Sequence, residues 1–218
     1  MLRLRFQKTG DGVFLSHLDL MRVFQRAFAR AGLMLKHSQG FSPRAYVSVA
    51  LPLSVGVESE CELLDYELES GDAPADLAER LNATMPDGVR VLKAYESDKK
   101  PKEIAFLRAE VTLEYDGGVP DGAGERIESL LAGPELVVAK HTKKGEADVD
   151  VRPMIRQASV RQIGSGELVI DATVSAQNPG LNPMLLAQAV ERYLPDLTPD
   201  FARCCRREIF DESGAPFR

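Results

Sequence analysis

Hydrophobic periodicity changes in a fixed order along residues 1–98, and that order most strongly constrains the fold. Alternating apolar residues predict strands, and apolar residues three or four positions apart predict helices. The elements predicted for this half are a strand at Leu2–Lys8, a helix at His17–Ala31, strands at Ala45–Leu53 and Glu60–Glu69, a helix at Pro74–Thr84 and a strand at Val89–Ser97. This β-α-β-β-α-β order is the split βαβ pattern of ferredoxin-like domains.

The same order recurs, less cleanly, in the second half. The elements predicted there are a strand at Ala105–Tyr115, a helix at Gly124–Leu131, extended segments at Glu135–His141 and Asp148–Ile155, a hairpin of Ser159–Ile163 with Glu167–Ala176, a helix from Asn182 to Leu194 and a strand at Phe201–Phe210. We therefore predict an α+β protein made of two tandem ferredoxin-like halves with antiparallel sheets. The predicted domains are residues 1–98 and 105–218, joined by a charged, proline-containing connector at 99–104.

Composition excludes several classes of function. The chain has three cysteines and three histidines, at spacings that fit neither a disulfide framework nor a zinc or iron–sulfur site. We predict no cofactor and no metal centre, although a magnesium site made only of oxygen ligands stays open. The N-terminal segment lacks the apolar core of a signal peptide, and the sequence has no apolar run long enough to cross a bilayer. We expect a cytoplasmic protein without membrane contact.

Charge is distributed unevenly along the chain. The formal net charge is −6, yet residues 1–50 carry +6 and residues 51–98 carry −9. An acidic chain is not expected to coat nucleic acid indiscriminately, but a local basic surface is what a specific polyanion would contact. The alternative is that the basic and acidic segments neutralise each other in the fold.

Ser16, His17 and Asp19 stand together where the first helix is predicted to begin. Ser16 and Asp19 match a variant of the capping box, which satisfies the free amide groups of a first helical turn. A catalytic triad is not predicted, because His17 and Asp19 lie about 200° apart around a helix. His17 falls on the apolar side, so we predict a buried, hydrogen-bonded imidazole. His17 and His37 are the two weak candidates for general acid–base catalysis.

Arg22, Arg26 and Arg30 follow at intervals of four residues, so they lie in one row on the helix face opposite the apolar side. Like charges spaced in this way repel each other unless an anion or an acidic side chain offsets them. Two interpretations stay open. Acidic residues of the fold, such as Asp19 or the stretch 58–69, neutralise the row, or the guanidinium groups bind phosphates.

The segment after this helix, HSQGFSPR, has a composition that a plain connector rarely needs. We predict that Phe41 plugs the core, with stacking on a nucleobase as the alternative. The loop residues assigned to anion or RNA binding are Ser38, Gln39, Phe41 and Arg44. In the second half, Lys143, Lys144 and Arg152 are assigned as further phosphate contacts, and a solvated basic surface is the alternative there.

Three long strings in the first half resemble one family: RFQKTGDGVFLSHLDLMRVFQRAFARAG, HSQGFSPR and ALPLSVGVESECE. They closely resemble the radical SAM-linked proteins, a bacterial family of unknown function, and VDVRPMI at Val149–Ile155 matches a second segment of that family. The resemblance implies a partner enzyme that supplies iron–sulfur chemistry, because this chain lacks cluster-binding cysteines. At the level of topology, tandem ferredoxin-like halves also resemble the RNA-processing proteins of CRISPR systems.

These observations lead to one main hypothesis and two alternatives. We expect an RNA-binding accessory module that works with a radical SAM enzyme in the modification of tRNA or rRNA. The first alternative is a metal-independent ribonuclease that uses His17 or His37. The second is a module that docks on a radical SAM partner and contacts no nucleic acid. The sequence contains no nucleotide-binding loop or zinc-protease motif, and it predicts binding more clearly than catalysis.

Overall fold

The structure, a computed structural model, describes residues 1–142 and 145–218, and the chain divides into two compact units. Unit 1 comprises residues 1–103 with Arg218, and unit 2 comprises residues 104–217. Each unit combines helices with antiparallel strands, so the predicted α+β class with antiparallel sheets is confirmed. The domain limits drawn from the sequence stay a prediction, because compactness alone does not show that a unit folds independently.

Unit 1 contains four strands and two helices in the predicted order. They are β1 (Leu2–Lys8), α1 (His17–Arg30), β2 (Val47–Val49), β3 (Val57–Tyr66), α2 (Leu77–Asn82) and β4 (Val89–Glu96). The strands pair in the order β4-β1-β3-β2, and every pairing is antiparallel. Strand β2 is much shorter than predicted, because only three of its residues join the ladder with β3.

One face of the unit 1 sheet is covered by α1 and α2, which contribute to a single apolar core. Helix α1 packs through aromatic contacts: the Phe24 ring meets Phe6 of β1 at 4.8 Å, and the Phe28 ring meets Tyr66 of β3 at 5.0 Å. The buried residues of α1 are Leu20, Phe24, Ala27 and Phe28. This apolar stripe fixes the rotation of α1, and the opposite side of the helix therefore faces solvent.

The described residues of unit 2 form six strands and two α-helices. They are β5 (Ile104–Glu114), α3 (Ala123–Ala132), β6 (Val137–Thr142), β7 (Gly145–Asp150), β8 (Ile155–Ile163), β9 (Glu167–Ser175), α4 (Met184–Tyr193) and β10 (Phe201–Asp211). Four strands pair in the order β10-β5-β9-β8, and β6 and β7 form a separate two-stranded hairpin. Of the two extended segments predicted after the first helix of this half, Glu135–His141 corresponds to β6. The other, Asp148–Ile155, overlaps β7 only at residues 148–150 and continues through a 3₁₀ turn at Arg152–Met154 to the start of β8.

Strand β5 shows how the unit 2 sheet separates its two faces. Leu107, Ala109 and Val111 are buried, whereas the alternating residues Arg108 and Glu110 reach the other face. Successive side chains of a strand point to opposite faces, so apolar and charged residues are sorted by position alone. One face of the sheet therefore contributes to the core, and the other carries a layer of charged side chains.

The three cysteines are free, as their spacing predicts, and all three are buried. Burial raises the pKa of the Cys204 thiol to about 12, so this group stays protonated at neutral pH. Among the described residues, no three imidazole, thiol or carboxylate groups come together as a metal site would require. No helix in the described ranges has the length and apolar character needed to cross a membrane.

Candidate functional site

Helix α1 begins at a hydrogen-bonded cap formed by Ser16. The Ser16 Oγ accepts a hydrogen bond from the Asp19 backbone N–H at 3.2 Å and donates one to the Asp19 carboxylate at 2.7 Å. This hydrogen bond from Ser16, together with one from Arg22, holds the pKa of the Asp19 carboxyl below its ordinary value. The capping prediction is confirmed, and both residues stabilise the start of the helix.

Replacement of Ser16 by alanine is expected to lower the free energy of unfolding by about 1 kcal/mol, because the helix loses its N-cap acceptor. Urea unfolding followed by circular dichroism measures this change. The matched control is Ser129→Ala, since the Ser129 hydroxyl donates only to the Glu125 carbonyl of its own helix. An unfolding midpoint that does not move in Ser16→Ala would contradict the capping role.

Arg22, Arg26 and Arg30, which we call the arginine row, are all exposed on the α1 face that points away from the core. Arg22 forms an ion pair with Asp19 at 2.9 Å, in which both side chains are more than half exposed. In the part of the chain that the structure describes, Arg26 and Arg30 form no ion pair. Two of the three guanidinium groups are therefore available to an external anion.

The acidic stretch 58–69 makes its own interactions instead of neutralising the arginine row. Asp65 accepts hydrogen bonds from the buried Arg3 guanidinium, and Glu67 pairs with Lys36 at 2.8 Å. Within the described residues, no acid of this stretch reaches the arginine row. The sequence left open whether acidic side chains neutralise the arginine row or whether the row binds phosphates. Neutralisation accounts only for Arg22, which forms an ion pair with Asp19.

The segment 38–44, which we call the 38–44 loop, is closed by hydrogen bonds at its base. The Ser38 N–H donates to the Arg44 carbonyl at 2.9 Å, and the Arg44 N–H donates to the Ser38 Oγ at 3.0 Å. Phe41 lies at the tip and is fully exposed, so the expectation that it plugs the core is wrong. Closing the base holds the tip away from the core, and Gln39 and Arg44 are also exposed.

The two histidines do not form a pair. His17 is exposed, contrary to the predicted buried imidazole, because the apolar face of α1 becomes buried only from Leu20 onwards. His37 lies in the loop stem, where its Nδ1 is 2.8 Å from the Leu35 carbonyl. At 1.5 Å per residue, Gln25 lies about 12 Å along α1 from His17. His37 lines a groove together with Gln25, whereas His17 is not part of that lining.

A groove of about 180 Å³ lies between α1 and the segment that follows it. Its lining comprises Gln25 and Ala29 of α1, the segment 33–35, and His37 with Ala45 from the loop stem. Residues four apart form rows along a helix, so the two α1 residues lie in the row adjacent to the arginine row. The groove therefore joins the cationic helix face to the stem of the 38–44 loop.

The candidates assigned in the second half have other roles or are not described. Arg152 is partly buried and donates to two backbone carbonyls, those of Gly133 and Ile155, each at 3.0 Å. A guanidinium engaged in this way shapes the turn before β8, and we exclude Arg152 from the candidate surface. Lys143 and Lys144 lie outside the described residues.

Most other arginines of unit 2 with exposed side chains are neutralised by ion pairs with carboxylates of the same unit. Glu110 accepts from both Arg161 and Arg207, each at 2.6 Å. Burial opposes ionisation of Glu110, but the hydrogen bonds from Arg207 and Arg161 hold its pKa below the ordinary value. Further pairs in this unit are Arg108–Asp171, Arg203–Glu114, Arg126–Asp196 and Arg192–Asp148. Most of the positive charge in unit 2 is therefore neutralised by carboxylates of the same unit, in contrast to the arginine row.

Sequence reasoning missed the groove. Its lining includes Gln25, Ala29 and Met34, none of which stands out in the sequence. They form a groove beside the arginine row only when α1 packs on the core. A signal existed in the four-residue spacing of Gln25 and Ala29, one row away from the arginines. The sequence does not indicate which segment lies across that row.

The fold and the site together define an α+β protein with antiparallel sheets and an exposed cationic helix face. The family model that describes an uncharacterized protein conserved in bacteria, DUF2344, matches residues 1–183, and the chain belongs to this family. The match carries no link to radical SAM enzymes, so that part of the resemblance stays a prediction. No curated protein matches the chain in sequence.

Solved structures are similar to the chain in fold. A chain of the crystal structure of a Cbf5-Nop10-Gar1 complex matches with a TM-score of 0.51 at 10% identity, over 97% of this chain and 50% of that chain. A structure of an H/ACA RNP bound to a substrate RNA containing 2'-deoxyuridine matches with a TM-score of 0.49 at 10% identity, over 94% of this chain and 46% of that chain. A crystal structure of the archaeal box H/ACA sRNP Nop10-Cbf5 complex matches with a TM-score of 0.46, also at 10% identity and over the same shares. This chain thus spans about half the length of these three solved chains.

Proposed function

We propose that this protein binds RNA through unit 1, on the surface formed by the arginine row and the 38–44 loop. The observation that carries the proposal is the exposure of Arg26 and Arg30 without an acidic partner among the described residues, next to a loop whose tip presents Phe41 to solvent. Guanidinium groups suit phosphate oxygens, and exposed aromatic rings suit unstacked bases. Both features of an RNA contact are therefore present on one surface.

A backbone phosphate is the anion that fits this geometry best. Successive α-carbons in the arginine row are separated by four residues, or about 6 Å along the helix axis, which lets neighbouring guanidinium groups contact successive phosphates of one strand. Unit 2 offers few comparable groups, because most of its exposed arginines are paired with carboxylates. Local rather than total charge explains how a chain with a net charge of −6 can bind a polyanion.

The double variant Arg26→Ala/Arg30→Ala tests the proposal. We expect RNA affinity to fall, and the slope of log affinity against log salt to become shallower by about 1.4, because each phosphate contact contributes about 0.7 on a single strand. Fluorescence anisotropy with labelled single-stranded RNA at several salt concentrations measures both quantities.

The matched control is Arg126→Ala/Arg192→Ala, which removes the same charge from exposed arginines that are paired with Asp196 and Asp148. This control should leave the salt slope unchanged. A folded Arg26→Ala/Arg30→Ala protein that binds RNA with the affinity and salt slope of the wild type would eliminate the proposed surface.

The two alternatives receive less support. The ribonuclease alternative would use His17, at the exposed start of α1, or His37, in the lining of the groove. Incubation of the purified protein with RNA, without added metal, tests catalysis by either histidine. A module that docks on protein without touching nucleic acid would retain no RNA after gentle purification.

A radical SAM enzyme is the partner that we propose for this RNA-binding surface. The support is the resemblance of the strings between Arg5 and Glu62 to radical SAM-linked proteins. Reciprocal pull-down with candidate radical SAM proteins from the same bacterium, with and without ribonuclease treatment, tests the partnership. Recovery of the enzyme only when RNA is intact would indicate that both bind one substrate.

We also propose that both units are ferredoxin-like and form separate domains, with limits near residues 98 and 105. In unit 1 the order β4-β1-β3-β2 supports this assignment, and in unit 2 the order β10-β5-β9-β8 repeats it with the β6–β7 hairpin as an insertion. Fold likeness alone does not transfer an activity. The function therefore rests on the surface of unit 1 and not on the similarity to the solved complexes.

A further inference from the structure

We propose that the groove between α1 and the segment 33–45 holds one unpaired nucleobase, so that the RNA bound by this protein is single-stranded at the contact. This inference rests on the proposed RNA binding and adds the chemical class of the substrate. The groove has a volume of about 180 Å³ and lies within unit 1, beside the arginine row. An RNA strand whose phosphates follow that row would pass directly along the groove.

The walls of the groove suit a flat heteroaromatic ring. Ala29, Leu33, Met34, Leu35 and Ala45 provide apolar surface, and Met34 is 64% exposed at the rim. A thioether is polarizable and makes favourable contacts with aromatic rings. Small alanine side chains on both sides leave a slot in which a ring can lie between the helix and the loop stem.

Two polar side chains in the lining provide hydrogen bonds for the edge of a base. The His37 Nδ1 lies 2.8 Å from the Leu35 carbonyl, which accepts from it and so fixes the ring orientation and tautomer. The Nε2 of the neutral imidazole then remains as an acceptor. Gln25 adds an amide that both donates and accepts. Apolar walls with a few convergent polar groups are characteristic of small-ligand sites.

The charges around the groove favour a nucleobase over an apolar protein side chain. The Arg26 guanidinium lies in the neighbouring helix row without an acidic partner among the described residues, and an apolar peptide would leave it without an anion. Phe41, fully exposed at the tip of the 38–44 loop, offers a ring on which an adjacent base can stack. A base-paired duplex cannot use the groove, because its bases stay within the stack.

The test compares labelled RNA strands of equal length: one single-stranded, one abasic with the same phosphates, and one fully base-paired. The wild-type protein should bind the single strand about 10-fold more tightly than the abasic strand, since stacking on an aromatic side chain strengthens binding and an abasic strand has no base to stack. The variant Ala29→Leu fills the groove from an exposed helix position without changing charge. It should lower the affinity for the single strand towards that for the abasic strand, leave the abasic affinity unchanged and keep the wild-type salt slope.

A second variant, His37→Ala, should weaken binding of the single strand and not of the abasic strand. In the wild-type protein, NMR signals of the Met34 methyl and the His37 imidazole should shift on addition of a nucleoside monophosphate. Equal affinity of the wild type for the single and abasic strands, together with no effect of Ala29→Leu, overturns the groove assignment but leaves phosphate binding intact. Failure of the wild type to bind any of the three strands overturns the proposed function itself. Preferential binding of the duplex also overturns the groove assignment.

Discussion

Replacement of Gly88 by alanine is expected to cause one of the largest losses of stability among single substitutions in unit 1. Gly88 has a φ of +82°, and a Cβ atom at this position would lie 2.3 Å from the Gly12 N and 2.4 Å from the Thr9 carbonyl oxygen. Left-handed backbone costs about 1–2 kcal/mol for a residue with a side chain, and overpacking against rigid atoms costs a further 1–3 kcal/mol or so. We expect the free energy of unfolding to fall by about 2–5 kcal/mol.

Two glycines in the segment that follows β1, Gly10 and Gly12, separate these two causes. Gly10 has a φ of +51° and no neighbour within 4 Å of its added Cβ, so Gly10→Ala should cost only the backbone strain, about 1–2 kcal/mol. Gly12 lacks a positive φ, but its Cβ would meet the Gly88 carbonyl oxygen at 2.5 Å. Urea unfolding of the three alanine variants measures their free energies of unfolding and so ranks the losses of stability. A Gly88→Ala protein no less stable than Gly10→Ala would show that the backbones separate freely.

The second large effect is expected from Asp65→Ala, which removes the partner of a buried charge. The Arg3 side chain is fully buried, and its Nε and Nη2 donate to the Asp65 carboxylate at 2.5 and 3.0 Å. Burial opposes the charged form of Arg3, and the hydrogen bonds to Asp65 more than offset this, so that the pKa of Arg3 is raised. Loss of one partner of a buried pair costs about 3–5 kcal/mol, because a charge is left uncompensated.

The matched control for this prediction lies two residues further along the chain. Glu67→Ala breaks the ion pair with Lys36, in which both side chains are at least half exposed, and should cost less than about 1 kcal/mol. The double variant Arg3→Met/Asp65→Ala should recover part of the loss, since it also removes the unpaired charge. A loss below about 1 kcal/mol in Asp65→Ala would mean that Ser97 and the Lys99 carbonyl compensate Arg3 sufficiently.

The order of strands and helices could be predicted because periodicity is a local property. β1 begins and ends where its alternation predicts, and α1 begins at its predicted first residue. β2 was overpredicted, since the alternating residues 45–53 do not all find a partner strand. The pairing of β6 with β7 as a separate hairpin was not predicted, because alternation indicates a strand but not its partner strand.

The candidate site was predicted in part. Spacing placed the arginine row on the exposed face, and the cap at Ser16 followed from a short motif. The burial of His17 and of Phe41 was predicted wrongly, since burial depends on which segment covers a residue and not on its own hydrophobicity. The phosphate contact assigned to Arg152 stays a prediction, and the carbonyls that this side chain binds belong to a turn formed only in the folded chain.

The sequence by itself determined the element order, the α+β class, the capped start of α1 and the row of arginines at four-residue spacing. These properties depend on residues within a few turns of one another, so their physical causes are local. Only the tertiary structure decided which of the arginines stay without a carboxylate, how the 38–44 loop closes beside α1, and that a groove separates them. Those outcomes depend on how α1, the segment 33–45 and the strands of unit 1 pack together, and this packing turns a charged helix into a candidate RNA-binding surface.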